Sequence, residues 1–257
     1  MRISGYLISL IVFSLSSSGF TAEVKPKYGP ANHPYATPLA EAHDYFQSSK
    51  HPAPDFWALI GFYVPQYSGP ACGTASITMV LNAARVHVSK TSDDKVIMQP
   101  ELVEKTPGHG WKERMSTAGL GIKLIHGMHL GVLHELAEAA FKGNGFPNVQ
   151  IEEVHVNDVS SKTLAQVHQA LVENEKNPGD FMIASFDQKY FTDDSEAGHI
   201  APVGAYDADK KRVLIMDPDR EYYEPYWVSE QRFVEAMYTH DSESGKFRGF
   251  VVIKPGH

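Results

Sequence analysis

The stretch QYSGPACGTASITMVLN, residues 66–82, decides the fold and contains Cys72, the single cysteine among 257 residues. Gly69 and Pro70 break the preceding chain, and apolar residues then recur at three- and four-residue steps, which predicts a helix over residues 72–86. A thiol in the first turn of a helix faces unpaired N–H groups and the positive end of the helix dipole, so the thiolate is favoured. A buried and inert cysteine is the alternative interpretation.

The N-terminus indicates an exported protein. Arg2 precedes an apolar run at residues 6–15, and small and polar residues follow up to residue 22. This is the pattern of a secretory signal peptide, and the apolar run is too short to span a bilayer. We therefore predict a signal peptide over residues 1–22, a periplasmic or secreted mature protein, and no membrane contact after cleavage.

The mature chain divides into two predicted parts. Residues 23–54 are rich in Pro, His, Tyr and Ala, which predicts an extended arm or linker with a short helix over residues 39–46. Residues 55–257 form the predicted catalytic domain. The formal net charge of −8 and the lack of a Lys/Arg run argue against nucleic acid and anionic membranes as partners.

Helices come first in the predicted domain and an antiparallel sheet follows, which is an α+β order. Apolar periodicity and turn residues define these elements. Helices are predicted over residues 99–104, 130–141, 161–175 and 228–237, and strands over residues 149–156, 181–186, 199–206, 212–216 and 246–253. The strands 199–206 and 212–216 are predicted to pair as a hairpin.

A nucleophilic cysteine needs a base, a group that orients the base, and donors for the oxyanion. His199 begins a strand, and Asp217 follows the paired strand, so the hairpin would bring the two side chains together. Gln66, six residues before Cys72, could donate from its side chain to the oxyanion. These are the predicted catalytic residues.

Other interpretations of the same residues stay open at this level. His199 could be a structural histidine, Asp217 a turn former before Pro218, and Gln66 an ordinary loop residue. His126, His129 and His134 form too sparse a set for a metal site, so no metal ligands are predicted. The aromatic cluster at residues 221–227 is assigned to packing, with a pocket wall as the alternative.

The motifs Gln66-x5-Cys72-Gly-x-Ala-Ser and Gly198-His199-x-x-Pro202, together with Asp217, resemble the phytochelatin synthases. These glutathione γ-glutamylcysteinyltransferases belong to the papain-like cysteine-peptidase superfamily, and the resemblance covers residues 56–252. It implies a papain-like fold, with an N-terminal helical lobe that carries the nucleophile at a helix start. That lobe would pack on an antiparallel sheet lobe carrying the His and the Asp.

The resemblance also implies roles for individual residues. Cys72 would be the nucleophile, His199 the general acid and base, Asp217 the orienting residue, and Gln66 part of the oxyanion hole.

Asp241 and Arg248, 24 and 31 residues after Asp217, match the family's substrate-binding pair. Arg248 would hold a carboxylate of the γ-glutamyl group and Asp241 its ammonium. Ala201 stands where the family often has Ser, and no Cys-rich region follows the catalytic part of the chain, which implies a short bacterial-type protein that often favours glycine removal from glutathione.

The implied reaction releases glycine from glutathione and leaves a γ-Glu-Cys thioester on Cys72. Water or a second glutathione would then take the acyl group, the latter giving phytochelatin and metal detoxification. No cofactor is expected for acylation, and Cd²⁺ or Zn²⁺ would enter as a thiolate complex of the acceptor glutathione. A papain-like peptidase of other peptides and a non-enzymatic metal- or thiol-binding exported protein are the alternatives. A homodimer is left open.

Overall fold

The computed structural model describes residues 35–88, 91–92, 94–106, 110, 114–115, 127–193 and 197–256. The predicted signal peptide, the first part of the predicted arm and His126 lie outside the described residues. None of the helices in the described ranges is long and apolar enough to cross a membrane.

The centre of the structure is a seven-stranded sheet in which every neighbouring pair is antiparallel. The strands are β1 (Ala36–Pro38), β2 (Gln150–His155), β3 (Phe181–Asp187), β4 (Gly198–Asp207), β5 (Arg212–Ile215), β6 (Tyr226–Ser229) and β7 (Gly249–Lys254). Their order across the sheet is β1-β6-β5-β4-β3-β7-β2. The predicted hairpin is confirmed, because β4 pairs with β5.

Seven α-helices of the described residues surround the sheet, and together with it they confirm the α+β prediction. They are α1 (Pro54–Ile60), α2 (Cys72–Ala84), α3 (Gln99–Lys105), α4 (Leu130–Gly143), α5 (Ser161–Lys176), α6 (Lys189–Thr192) and α7 (Glu230–Met237). One hydrophobic cluster contains residues of α2 and α4, and a second contains residues of α5 and α7. Each cluster packs against the sheet.

Helix α2 is the central helix, and all of its residues are buried. It contacts β4, α1, α3 and α4. Two of its hydroxyls donate within the helix: Ser76 Oγ donates to the Cys72 carbonyl at 2.8 Å, and Thr78 Oγ1 to the Thr74 carbonyl at 2.7 Å. Because these hydroxyls bond to carbonyls one turn earlier, a helix with polar residues can be buried on every side.

One prediction about secondary structure is wrong. Residues 39–46 form two 3-10 turns, Leu39–Glu41 and Asp44–Gln47, in place of a short helix, and their order comes from tertiary contacts: the buried Tyr45 hydroxyl donates to Glu175 Oε1 at 2.8 Å. The helix predicted at residues 228–237 is confirmed, but it begins only at Glu230. Its first residues extend β6, and the Ser229 hydroxyl caps the helix by accepting from the Arg232 N–H.

The predicted arm takes part in the fold from residue 35 onward. Its strand β1 pairs with β6 at the edge of the sheet. Tyr45 and Ala53 are buried in the same hydrophobic cluster as α2. An extended, Pro-rich segment can therefore serve as an edge strand, because the outer side of an edge strand needs no hydrogen-bond partner.

Candidate active site

Cys72 is the first residue of α2 and a free thiol, 6% exposed. The 3-10 turn Gly69–Ala71 delivers the chain into the helix. A hydrogen bond of 3.2 Å from Ser76 Oγ to the Ile200 carbonyl ties the first turn of α2 to β4, one residue after His199. This contact holds the thiol beside the strand that carries the histidine.

His199 and Asp217 meet across the predicted hairpin. His199 Nε2 lies 2.8 Å from Asp217 Oδ1, and both side chains are almost entirely buried. Since Nε2 faces Asp217, Nδ1 is the ring nitrogen available to Cys72. Burial alone would lower the pKa of His199, but the Asp217 carboxylate and a hydrogen bond with Cys72 raise it well above its ordinary value.

Asp217 is surrounded by hydrogen-bond donors. Besides His199 on Oδ1, the backbone N–H of Asp219 donates to Oδ1 at 2.9 Å and the Tyr226 hydroxyl donates to Oδ2 at 2.8 Å. Burial raises the pKa of Asp217, but the charge of His199 and these hydrogen bonds outweigh it and lower the pKa below its ordinary value. The carboxylate is therefore charged and fixed in orientation.

Tyr226 is the partner that sequence reasoning missed. It belongs to the aromatic cluster at residues 221–227, which had been assigned to packing. Its side chain is fully buried, and Gln188 Nε2 lies 3.3 Å behind its hydroxyl. The first three residues of β6 are all buried, so no alternation shows which way Tyr226 faces, and only the pairing of β6 with β5 brings it to Asp217.

Gln66 lies between the segment before Cys72 and the segment after Asp217. Its backbone N–H donates to the Pro218 carbonyl at 2.8 Å, and its side-chain Nε2 donates to the Gly69 carbonyl at 3.1 Å. One hydrogen of Nε2 thus remains for another acceptor, because an amide nitrogen carries two. Tyr63 strengthens the same link, since its hydroxyl donates to the Asp217 carbonyl at 2.5 Å.

A cavity of about 400 Å³ opens next to Cys72. Its lining includes Gly198, Ser185, Asp241 and Arg248, so the structure brings the predicted substrate-binding pair to the same space as the thiol. Met128 closes the wall over the first turn of α2. A Cβ at Gly73 would lie 2.7 Å from Met128 Sδ, so a larger residue here would require the methionine side chain to move.

Arg248 is a buried cation at this cavity. Its Nη1 donates to Thr239 Oγ1 at 3.0 Å and to the His240 carbonyl at 2.7 Å, while its buried Nε has no partner. Its guanidinium lies against the backbone of Gly198, where a Cβ would come within 2.8 Å of Nη2. Among the described residues no carboxylate forms an ion pair with Arg248, so the site offers its charge to a bound anion.

Asp241 shapes the turn beside Arg248. Its Oδ1 accepts from the backbone N–H of Glu243 at 3.0 Å and from the N–H of Ser244 at 2.8 Å. The second carboxylate oxygen takes no part in these turn bonds, and Asp241 lines the cavity. The carboxylate can therefore hold the turn and still accept from a ligand.

Two of the described histidines outside this site have other partners. His134 Nδ1 lies 3.1 Å from Glu153 Oε2, and His129 caps α4 by accepting from the Val132 N–H at 3.4 Å. Within the described ranges, no group of three His, Cys, Asp or Glu side chains could hold a metal ion.

The comparisons with known proteins all give the same family. A family model described as phytochelatin synthase matches residues 35–250. Glutathione gamma-glutamylcysteinyltransferase 1 of Arabidopsis thaliana is 26% identical over 204 residues, 79% of this chain and 37% of that protein. The protein of the same name from Lotus japonicus is 26% identical over 204 residues, 79% of this chain and 36% of its own. The enzyme of Schizosaccharomyces pombe is 38% identical over 60 residues, 23% of this chain and 14% of its own. The chain spans well under half the length of these curated relatives.

Proposed function

The chain belongs to the phytochelatin synthase family, and from this premise we propose that it is a thiol acyltransferase or hydrolase of glutathione. The single observation that carries the proposal is the convergence of Cys72 and Arg248 on one cavity, with the His199–Asp217 pair hydrogen-bonded behind the thiol. The relatives' names describe transfer of the γ-glutamylcysteinyl group of glutathione, which fits a nucleophile beside a carboxylate-binding cation.

We also propose that the architecture is papain-like. The thiol at the start of a buried helix and the His–Asp pair on antiparallel strands support this assignment. The ring nitrogen Nε2 of His199 faces Asp217, so the other nitrogen faces the nucleophile, and the two halves of the dyad come from different parts of the chain.

In the proposed acylation step, the Cys72 thiolate attacks the carbonyl carbon of the Cys–Gly amide, and the carbonyl becomes a tetrahedral oxyanion. His199 has taken the thiol proton and delivers it to the glycine nitrogen as the C–N bond breaks. Glycine leaves, and γ-Glu-Cys stays on Sγ as a thioester. Asp217 stabilises the imidazolium that carries the proton between the two steps.

Gln66 is proposed as an oxyanion donor. Its free Nε2 hydrogen and the backbone N–H of Cys72 at the helix start are the two donors that the tetrahedral oxygen would use. The hydrogen bonds of Gln66 to Gly69 and Pro218 hold it between the nucleophile and the Asp217 segment.

Substrate selectivity is proposed to come from Arg248 and Asp241. A carboxylate of the γ-glutamyl group would supply the counter-ion that Arg248 lacks and could accept from its unpaired Nε. The ammonium of the γ-glutamyl group would pair with the Asp241 carboxylate. A peptidase for ordinary peptides would have no use for this pair, because an internal peptide residue carries neither charge on its backbone.

The thioester has two proposed acceptors. His199 can remove a proton from water, whose oxygen then displaces Cys72 and gives γ-Glu-Cys. The amine of a second glutathione can attack instead and form the amide bond of a phytochelatin. Acylation needs no cofactor in this scheme, and Cd²⁺ or Zn²⁺ would arrive as a thiolate complex of the acceptor, as part of a substrate. The signal-peptide pattern supports a periplasmic or secreted site of action.

Intact-protein mass spectrometry with glutathione, with and without Cd²⁺, tests this function. We expect a mass gain of one γ-Glu-Cys unit on Cys72 and release of free glycine, and Cys72→Ala should lose both. The soluble products then distinguish hydrolysis from polymerisation. Glycine release that persists in Cys72→Ala would overturn the thioester, and the absence of both adduct and glycine would favour a peptidase of other substrates or a non-enzymatic protein.

A matched pair of variants tests selectivity. Arg248→Lys keeps the positive charge but loses the planar donor fork, whereas Arg248→Ala loses both. We expect the KM for glutathione to rise from wild type to Arg248→Lys to Arg248→Ala, with alkylation of Cys72 by iodoacetamide unchanged. An equal KM in all three proteins would contradict the role of Arg248.

A further inference from the structure

A second cavity, of about 380 Å³, lies on the opposite face of the sheet from Cys72. It runs between helix α5 and the strands β2 and β7, and we call it the α5 groove. Its floor consists of Val154, Phe250 and Val252, which belong to or pack against the hydrophobic cluster that does not include Cys72. It is therefore independent of the active-site cavity.

The shape of the α5 groove follows from how α5 packs. Helix α5 is held by β4, α7 and α1, which lie toward the middle of the sheet. On the side of β2 and β7 the helix presents Thr163 and the small Ala170, and these side chains do not fill the space above Val154 and Val252. The two valines remain partly exposed within the groove, although they are apolar.

Two buried polar side chains of the groove lining each have an oxygen that no donor reaches. Asp180 is 6% exposed; its Oδ2 accepts from Asn177 Nδ2 at 3.0 Å, but its buried Oδ1 has no hydrogen-bond partner. Asn174, 4% exposed, also lines the groove with a buried Oδ1 that has no partner. Buried polar oxygens are nearly always paired, so two unpaired acceptors in the lining of one cavity indicate a missing donor.

The residues that line the groove favour a positively charged donor. Four carboxylates border the groove, from Glu152, Asp158, Glu173 and Asp180, against one lysine. That lysine, Lys254, already lies 3.9 Å from Glu152. The groove is therefore negatively charged above an apolar floor.

From these observations we propose that the α5 groove binds an aliphatic ammonium ion, whose N–H groups donate to Asp180 Oδ1 and Asn174 Oδ1 while its methylene chain covers Val154 and Val252. A charge-assisted hydrogen bond to a buried carboxylate is stronger than a neutral one, and an alkyl chain with a charged end matches a cavity that is apolar below and acidic in its lining. A bare divalent cation fits less well, because the described residues contain no cluster of three metal-ligating side chains.

The probe is 1,4-diaminobutane, measured by titration calorimetry on the full-length protein without glutathione. We expect saturable binding that weakens as the salt concentration rises, and an affinity at least tenfold lower in Asp180→Asn. Ala170→Trp should abolish binding by filling the groove without changing its charge. Glu138→Gln, on the exposed face of α4, removes an equal charge elsewhere and should leave the affinity unchanged.

Two further probes separate recognition from simple charge. The analogue of diaminobutane with three methyl groups on each nitrogen carries the same two charges and the same chain but no N–H, and sodium chloride at matched ionic strength carries neither shape nor donor, so both should bind at least tenfold more weakly. Equal binding of diaminobutane to wild type and to both groove variants would overturn the proposal. So would equal responses to diaminobutane and its methylated analogue. Neither readout depends on turnover, so failure here leaves the proposed glutathione chemistry standing, and the reverse also holds.

Discussion

Two buried aspartates of this protein differ in charge although both are hidden from solvent. Asp217 is fully buried and Asp55 is 2% exposed. Asp217 accepts from His199, the Tyr226 hydroxyl and a backbone N–H, whereas Asp55 accepts only from Asn174 Nδ2, at 2.6 Å, and its Oδ1 has no partner. Burial raises the pKa of both carboxyls, but only that of Asp217 is brought below its ordinary value; the pKa of Asp55 stays well above it. The supply of donors and of positive charge, more than depth, decides which buried carboxyl is ionised.

The neutral state of Asp55 also accounts for its own unpaired oxygen. A protonated carboxyl can carry its proton on Oδ1, which no donor reaches, while Oδ2 accepts from Asn174 Nδ2. Asp217 is therefore buried as an anion, and Asp55 joins α1 to α5 as an acid.

The largest effect is expected from Asp217→Asn. The amide cannot stabilise an imidazolium and can fix His199 in the wrong tautomer, so glycine release should fall by about 10³- to 10⁴-fold. Asp219→Asn is the matched control, because Asp219 serves Asp217 through its backbone N–H and keeps that donor. Initial rates of glycine release, with circular dichroism to verify folding, measure the difference. Near-wild-type activity in Asp217→Asn would break the contrast between the two aspartates.

A smaller effect is expected from Tyr226→Phe. Removing the hydroxyl takes one donor from Asp217, so the pKa of the carboxyl should rise. The acid limb of the pH–rate profile should then move to higher pH, the rate at neutral pH should fall about tenfold, and stability should fall by about 1–3 kcal/mol because a buried charge loses a partner. A purely structural role would change stability without moving the acid limb. Tyr222→Phe is the control, since Tyr222 is 60% exposed.

The smallest effect is expected from Asp55 and concerns the pH dependence of stability. Because its folded pKa is raised, the native state holds a proton that the unfolded chain releases above about pH 4. Stability should therefore decline as pH rises from that value toward the folded pKa. Asp217, whose folded pKa is lowered, works in the opposite sense and withdraws stability only as pH falls below about 4.

Urea unfolding of wild type and Asp55→Asn between pH 5 and 9 isolates this slope. The asparagine keeps an acceptor and a donor for Asn174 but has no proton to lose, so the variant should show a flatter profile and gain stability relative to wild type as pH rises. Parallel profiles would show that Asp55 is not the neutral member of the pair.

The sequence was most informative where local pattern and chemistry coincide. The helix after Cys72 follows from its periodicity, and the meeting of His199 with Asp217 follows from the pairing of β4 with β5. The shift of register between Val203 and Ala205 in this hairpin was not predicted. Tyr226 could not be predicted, because its contact with Asp217 depends on the register of β6 against β5, and the irregular residues 216–225 that join the two strands do not reveal that register. Asp55 could not be predicted for another reason, because its partner Asn174 lies 119 residues away.

The residues before α1 show what composition alone does not predict. Their Pro-rich composition predicted an arm, whereas Tyr45 inserts between the sheet and α5 and donates to Glu175 and to the Tyr206 carbonyl. Composition indicates only the local preference of the chain. It cannot show that a distant part of the protein offers buried acceptors to an extended segment.

The complete burial of α2 has a kinetic consequence. Amides in a helix enclosed on all sides exchange with solvent only when the whole domain opens, whereas those in surface turns exchange through local fluctuations. Cys72 thus lies on the slowest-exchanging class of segment, and the cavity wall at the turn that begins with Asp241 belongs to the faster class. Local fluctuations can therefore move this wall while the Cys72 sulfur keeps its place.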